Sequence, residues 1–245
     1  MLARVSEGCG GVPPRVPGGT PPGRGSRIGG RSRGPDLPSL ARMLARGHSC
    51  RFGLLSVGFL QPMRTRRALQ LADASRRRLF VRLRRRFEES PTRGYVIEVD
   101  PRWFLLGLVS DCIWLNGYQC FRVQDTRKIE ADPYAAFEEA ALRKRGERRP
   151  RNPRVSVVSI EDLLLSAGRA FPLVTIHRER VDPDVCWIGR VLGVERGRVS
   201  LLEINPDATW DKRPHEYRMG EITRVDFGGD YENALHLVGG DPLVL

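Results

Sequence analysis

The feature that most constrains this chain is an internal repeat. Residues 186–226 match an earlier stretch when shifted back by 95 positions, and by 96 positions beyond one loop. Upstream, Leu173-Val-Thr-Ile176 matches Phe80-Val-Arg-Leu83 in the same order. Two copies of one small unit are therefore expected. The matched pairs are Gly189 with Gly94, Val194 with Val99, Val199 with Phe104, Leu201 with Leu106, Tyr217 with Phe121, and Glu221 with Asp125.

The first copy has the pattern of a helix followed by five short strands. Apolar residues at three- and four-residue steps predict a helix over 64–79. The dipeptide Asn116-Gly117 favours a hairpin turn between 113–115 and 118–123. A further helix is expected between Asp132 and Gly146. The predicted strands are 80–83, 94–99, 103–109, 118–123 and 128–129.

The second copy repeats this order and completes the predicted architecture. Ser159, with Asp162 three residues later, predicts a helix that ends near Gly168. Strands are expected over 173–178, 185–194, 198–204, 216–220 and 223–227, and 231–238 corresponds to the helix that ends the first copy. The predicted fold is mainly β with short helices: two tandem SH3-type small barrels, each preceded by a helix. The expected divisions are a tail (1–62), a first unit (63–146), a linker (147–158) and a second unit (159–245).

This pattern resembles the Sm-like small barrel. The resemblance rests on the helix at 160–167, on Leu173-Val-Thr-Ile176, on the strand pair within 189–202, and on 217–227. Three further stretches, 117–122, 171–178 and 221–231, are similar to a bacterial protein family of uncharacterised activity. The resemblance implies a family built from two tandem Sm-like barrels, and it implies no activity.

The tail at 1–62 is rich in Gly, Pro, Arg and Ser and has no sustained hydrophobic period. We interpret it as disordered, because such a composition buries too little apolar surface to offset chain entropy. One hypothesis is an arginine- and glycine-rich tail that binds RNA. The favoured alternative is a start assigned too early, with Met43 or Met63 as the true first residue.

The net charge of +12 is concentrated in segments. Outside the tail, residues 64–86 hold ten basic residues against one acidic, and residues 143–154 hold seven against one. The first run predicts sequence-independent contacts with nucleic-acid phosphates, and Trp103, Trp114 and Tyr118 are candidate surfaces for base stacking. The favoured alternative is a non-enzymatic protein-interaction or scaffold module of unknown partner. The tentative nucleic-acid contacts are Arg76, Arg77, Arg78, Arg82, Arg84, Arg85 and Arg86.

No motif of reaction chemistry is present. The sequence has no GxGxxG, P-loop or HExxH pattern, so no catalytic, cofactor or metal residue is assigned. His177, with Asp182 and Asp184 on the following loop, could form an acid–base pair, but a surface polar network is the favoured interpretation. An oxygen-rich metal site could be formed by Asp207, Trp210, Asp211, His215 and Glu216, but the favoured interpretation is a rigid polar loop bounded by Pro206 and Pro214.

The five cysteines form no CxxC pair, and reduced thiols are expected. Cys112, Cys120 and Cys186 lie in or beside predicted strands, which fits a reducing, cytoplasmic environment. The apolar run at 52–60 is too short to span a bilayer, so no membrane association is expected.

Overall fold

A computed structural model of the chain describes residues 65–242. The predicted tail at 1–62, with Cys9 and Cys50, lies outside these residues. The first half contains helix α1 (Arg66–Arg76), strands β1 (Phe80–Arg85), β2 (Thr92–Val99), β3 (Trp103–Val109), β4 (Leu115–Arg122) and β5 (Thr126–Ala131), and helix α2 (Ala135–Lys144). The second half contains helix α3 (Ile160–Ala170), strands β6 (Val174–His177), β7 (Cys186–Glu195), β8 (Arg198–Glu203), β9 (His215–Arg218) and β10 (Arg224–Phe227), and helix α4 (Asp230–Gly239).

All ten strands belong to one antiparallel sheet in the order β5-β1-β2-β3-β4-β10-β6-β7-β8-β9. The prediction of a mainly β fold with a helix before each set of five strands is therefore confirmed. The sheet over residues 65–242 is not closed, so two separate small barrels are not confirmed. The reason lies at the centre of the sheet, where β4 pairs with β10 over Phe121–Arg224 and Gln119–Asp226 and joins the two halves.

The repeat is visible in the strand register. Gly94 lies opposite Leu108 in the first half, and Gly189 lies opposite Glu203 in the second, both shifted by 95 positions. Each of these strand pairs has an irregularity at the same place, between 96 and 98 in one half and between 191 and 193 in the other. Each fourth strand is followed by a short 3-10 turn, Val123–Asp125 and Met219–Glu221. The sequence repeat is therefore a repeat of hydrogen-bonding pattern.

Strand β3 is covered on both faces, as its continuous apolar sequence predicts. Phe104 and Leu106 enter a core that contains Leu71 of α1. Trp103 and Leu105 enter a second core that contains Leu164 of α3 and residues of the second half. The two halves therefore share one strand between their hydrophobic cores, which makes them a single packed body.

The prediction of a hairpin turn at Asn116-Gly117 is wrong. Both residues belong to β4, and the reversal occurs earlier, where Ile113 has a positive φ of 58° and its N–H donates to the Ser110 carbonyl. Asn116 is used in a long-range contact, because its Oδ1 accepts a hydrogen bond from the Asp230 backbone N–H at 2.7 Å. Local turn preference is overridden here by packing against α4.

Helix ends agree with the sequence where a capping side chain is present. Ser159 caps α3, and its hydroxyl accepts a hydrogen bond from the Asp162 N–H at 3.0 Å, as predicted. Helix α1 ends at Arg76, earlier than predicted, because Arg78 adopts a left-handed conformation with φ of 52°.

Of the thiols in residues 65–242, Cys120 and Cys186 are buried and free, and burial raises the pKa of Cys186 to about 12. No helix within this part of the chain is long and apolar enough to cross a membrane.

Candidate nucleic-acid interface

A groove of about 840 Å³ lies between the end of α1, strand β2 and the segment that connects α2 to α3. Four arginines line it. Arg78 comes from the first basic run, and Arg148, Arg149 and Arg151 come from the second. A smaller cavity of about 180 Å³ shares Arg148 and Arg149 with the groove. The fold therefore brings together two basic runs that are separated by some seventy residues in sequence.

The connecting segment forms one wall of the groove and is fixed to the sheet by specific contacts. Pro150 packs on Gly107 of β3, where an added Cβ would lie 2.3 Å from the proline Cγ. The Tyr118 hydroxyl donates to the Arg151 carbonyl at 3.1 Å. Asn152 accepts from the Val155 N–H through its Oδ1 at 2.8 Å. The backbone around Arg151 is therefore held in place before any ligand arrives.

Arg149 differs from the other arginines of the groove because its side chain is engaged in contacts within the protein. Its Nη1 donates to the Arg78 carbonyl at 2.8 Å, and its Nη2 forms an ion pair with Glu139. The guanidinium lies 5.0 Å from the centre of the Tyr95 ring. Burial, together with Glu139, raises the pKa of Tyr95 to about 12, so this phenol stays neutral. Arg149 thus joins the two basic runs to each other.

The other three arginines of the groove are uncompensated. Arg78, Arg148 and Arg151 are exposed, and their side chains form no ion pair or hydrogen bond with any other residue of the described range. Guanidinium groups are weakly hydrated and form two parallel hydrogen bonds with phosphate or carboxylate. A groove walled by three free guanidiniums therefore favours a polyanion.

The residues predicted from the first run are not brought together in one surface. Arg76 and Arg77 pair with Asp73 on their own helix, and Arg82 pairs with the buried Asp132 at 3.3 Å. Arg84 and Arg86 are exposed on and just after β1, and only Arg78 lines the groove.

Arg85 is the clear correction among these residues. Its side chain is fully buried, and it forms ion pairs with Glu88 at 2.6 Å and with Glu179 at 2.7 Å. Its guanidinium also lies 4.1 Å from the Phe121 ring centre. Because β1 alternates, Arg85 points to the same interior as Val81 and Leu83, so it is unavailable to phosphate.

The predicted stacking residues have mixed roles. Trp103 is 4% exposed and belongs to the core, and Tyr118 packs against Phe227 with ring centres 5.7 Å apart. Trp114 is 43% exposed, but Arg145 covers its ring at 4.3 Å. None of the three lines the groove, and the tyrosine that does, Tyr95, is 5% exposed beneath Arg149, so the groove offers charge rather than stacking surface.

His177 belongs to a polar network rather than to an acid–base pair with the following loop. Its Nε2 lies 3.1 Å from Asp226 Oδ2, on the neighbouring strand β10. Asp182 and Asp184 interact within their own turn, where Asp182 Oδ1 accepts from the Asp184 N–H. Within residues 65–242, no group of three or more His, Cys, Asp or Glu is arranged to hold a metal ion.

Sequence reasoning identified the second basic run but assigned it no site. The sequence did contain an indication of a site there, because Pro150 and Pro153 restrain the backbone of a segment that holds seven basic residues. The position of this run beside Arg78 depends on the path of the connecting segment across β3 and β4, which no local sequence pattern encodes.

Comparison of the chain with protein-family models, with curated proteins and with solved structures returns no match.

Proposed function

We propose that this protein is a non-enzymatic module that binds the phosphate backbone of single-stranded RNA or DNA without sequence preference. The observation that supports the proposal is the set of free guanidiniums, Arg78, Arg148 and Arg151, on the walls of one fixed groove. A strand of phosphates is the common polyanion that several spaced guanidiniums contact together. Recognition would be sequence-independent, because the aromatic ring that lines the groove, Tyr95, is only 5% exposed and is covered by Arg149, so it is not open to base stacking.

Replacing Arg78, Arg148 and Arg151 by Ser is expected to weaken the binding of a labelled oligonucleotide by about a hundredfold, since each lost phosphate contact removes charge-assisted hydrogen bonds. The slope of log affinity against log salt should flatten by about two units, near 0.7 for each lost contact with a single strand. Fluorescence anisotropy at several salt concentrations measures both quantities. The effect should be equal for oligonucleotides of different sequence.

The matched control is Arg169→Ser, Arg196→Ser and Arg213→Ser in one chain. It removes the same charge from exposed positions of the second half. An equal loss in this control would show that net charge, and not the groove, determines affinity. Absence of binding by the unaltered protein at low salt would rule out the nucleic-acid proposal, because electrostatic attraction is then strongest.

A protein partner is the second candidate, in line with the interaction-module hypothesis. Tyr134 and Phe137, at the start and in the first turn of α2, are 63% and 66% exposed. Exposed aromatic side chains of this kind are enriched at protein interfaces. This candidate predicts that the arginine variants leave partner binding unchanged.

We further propose that each half is a variant of the Sm-like small barrel. The support is topological: β1 pairs with both β2 and β5, and β6 pairs with both β7 and β10. In each half the first strand is thus flanked by the second and the fifth, and a helix precedes it. An experimental structure in which the first strand of either half does not pair with both the second and the fifth strand would contradict this description.

A further inference from the structure

A second cavity, of about 160 Å³, lies at the central seam of the sheet and is separate from the arginine groove. Its walls come from β4, β10 and the first turn of α4, and include Tyr118, Gln119, Asp226, Tyr231 and Glu232. Since water in the liquid occupies about 30 Å³ per molecule, the cavity has room for a group of roughly five non-hydrogen atoms.

Gln119 has an unsatisfied acceptor at this cavity. The residue is only 7% exposed, and its Oε1 is buried with no hydrogen-bond partner in the described part of the chain. Gln119 lies opposite Asp226 in the register of β4 and β10, so both side chains are on the same face of the sheet. A buried acceptor without a partner is costly, so it indicates a donor that occupies this space.

Glu232 is a carboxylate without a basic partner. Its Oε1 accepts a hydrogen bond from the Thr175 hydroxyl at 2.6 Å, but no arginine, lysine or histidine of residues 65–242 forms an ion pair with it. Burial, and then the neighbouring Asp226, raises the pKa of Glu232. A cation with N–H groups in the cavity would pair with the Glu232 carboxylate and would also donate a hydrogen bond to Gln119 Oε1.

The surrounding ion pairs leave two carboxylates at the cavity, Glu232 and Asp230, without a basic partner in residues 65–242. Arg85 forms ion pairs with Glu88 and Glu179, and Arg224 forms ion pairs with Glu88 and Asp226. Burial alone would raise the pKa of Asp226, but Arg224 and His177 hold it well below its usual range. The oxygens of Asp226 are therefore already satisfied, and Glu232 and the exposed Asp230 are the carboxylates available to a ligand.

We propose that this cavity binds a primary ammonium or guanidinium group. Glu232 supplies the counter-charge, Gln119 Oε1 accepts one N–H hydrogen bond, and the rings of Tyr118 and Tyr231 line the space, where aromatic faces attract cations. The positive end of α4 opposes a cation, but Asp230 and Glu232 in its first turn offset that charge. The group could belong to a free amine or to a Lys or Arg side chain of a peptide, and the chemistry is the same.

The test uses the full chain with four probes: propylammonium, ethylguanidinium, and capped Gly-Lys-Gly and Gly-Arg-Gly peptides. NMR titration should show saturable shifts of the Gln119 side-chain amide with at least one probe. Glu232→Gln keeps the shape and removes the charge, and it should weaken binding by about tenfold, as expected for loss of a charge-assisted contact. The matched control Glu195→Gln, at an exposed carboxylate, should leave affinity unchanged.

The probes distinguish the sources of the group. Binding of the small cations without the peptides would assign a free amine, and tighter binding of a peptide would assign a partner side chain. If Glu232→Gln does not fold, as judged by circular dichroism, Gln119→Leu replaces it, is followed through the backbone amides of Tyr231 and Glu232, and should weaken binding several-fold. No shift at Gln119 with any probe at millimolar concentration, or equal affinity in the folded variants, would overturn the proposal.

Discussion

Replacing Arg85 by Met is expected to lower the free energy of unfolding by about 3–5 kcal/mol, the usual cost of removing one partner of a buried ion pair. Arg85 is at the end of β1, and its two Nη atoms contact both carboxylate oxygens of Glu179, at 3.0 and 2.7 Å. Glu179 follows β6 in the second half and is 7% exposed. Without Arg85, this carboxylate would remain buried without its principal counter-charge.

The dependence of this loss on pH identifies its cause. Burial alone would raise the pKa of Glu179, but the hydrogen bonds and charge of Arg85 lower it below the usual value. A lowered pKa in the folded state contributes stability above the unfolded pKa of about 4.3, and that contribution is lost as the pH falls through the folded pKa. The difference between Arg85→Met and the unaltered protein should therefore narrow below about pH 4.

Arg84→Met is the matched control, since Arg84 is the exposed neighbour on the same strand. It should change the free energy of unfolding by less than about 0.5 kcal/mol. Urea unfolding at pH 7 and at pH 3.5 measures both variants. Equal stability of the two variants at pH 7 would contradict the role of Arg85 in holding the halves together.

Gly189→Ala is expected to be the next most damaging change, with a cost of about 1–3 kcal/mol or more from forced overpacking. An added Cβ would lie 2.1 Å from the Leu202 carbonyl oxygen and 2.8 Å from its carbon. These are backbone atoms of the paired strand β8, so they cannot move without displacing the sheet. Gly94→Ala should behave alike, because its Cβ would lie 2.1 Å from the Gly107 carbonyl oxygen.

Gly193→Ala provides the control on the same strand as Gly189. Its Cβ would have no atom within 4 Å, so the substitution should be close to neutral. Thermal unfolding of the three variants compares them directly. A melting temperature for Gly189→Ala equal to that of Gly193→Ala would show that the two strands do not approach as closely as described.

The repeat carried most of the fold information in the sequence. The match of Gly189 with Gly94 predicted equivalent places in two strand pairs, and both glycines are needed for the same close approach to a neighbouring strand. The union of the halves into one sheet was not predictable in this way, because the β4–β10 pairing joins residues about a hundred positions apart. The failed hairpin at Asn116-Gly117 has the same cause, a contact with Asp230.

The arginine groove was partly predictable from the sequence. Both basic runs were evident, and the alternation of Val81, Leu83 and Arg85 could have indicated that Arg85 points inward. The position of Arg78 beside Arg148 and Arg151 could not be predicted from the sequence, because it depends on Gly107 leaving room for Pro150. Charge density thus identified the segments, and packing determined which arginines remain free.

The most direct test of the proposed function is to locate a bound single strand by NMR. Backbone amides of the full chain would be followed during titration with a short oligonucleotide at low salt, where binding is strongest. The groove account predicts that the largest shifts occur at the amides of Arg78, Arg148, Arg149 and Arg151, in saturable fashion and for any base sequence. Shifts confined to other surfaces, or no shifts at millimolar oligonucleotide, would contradict it.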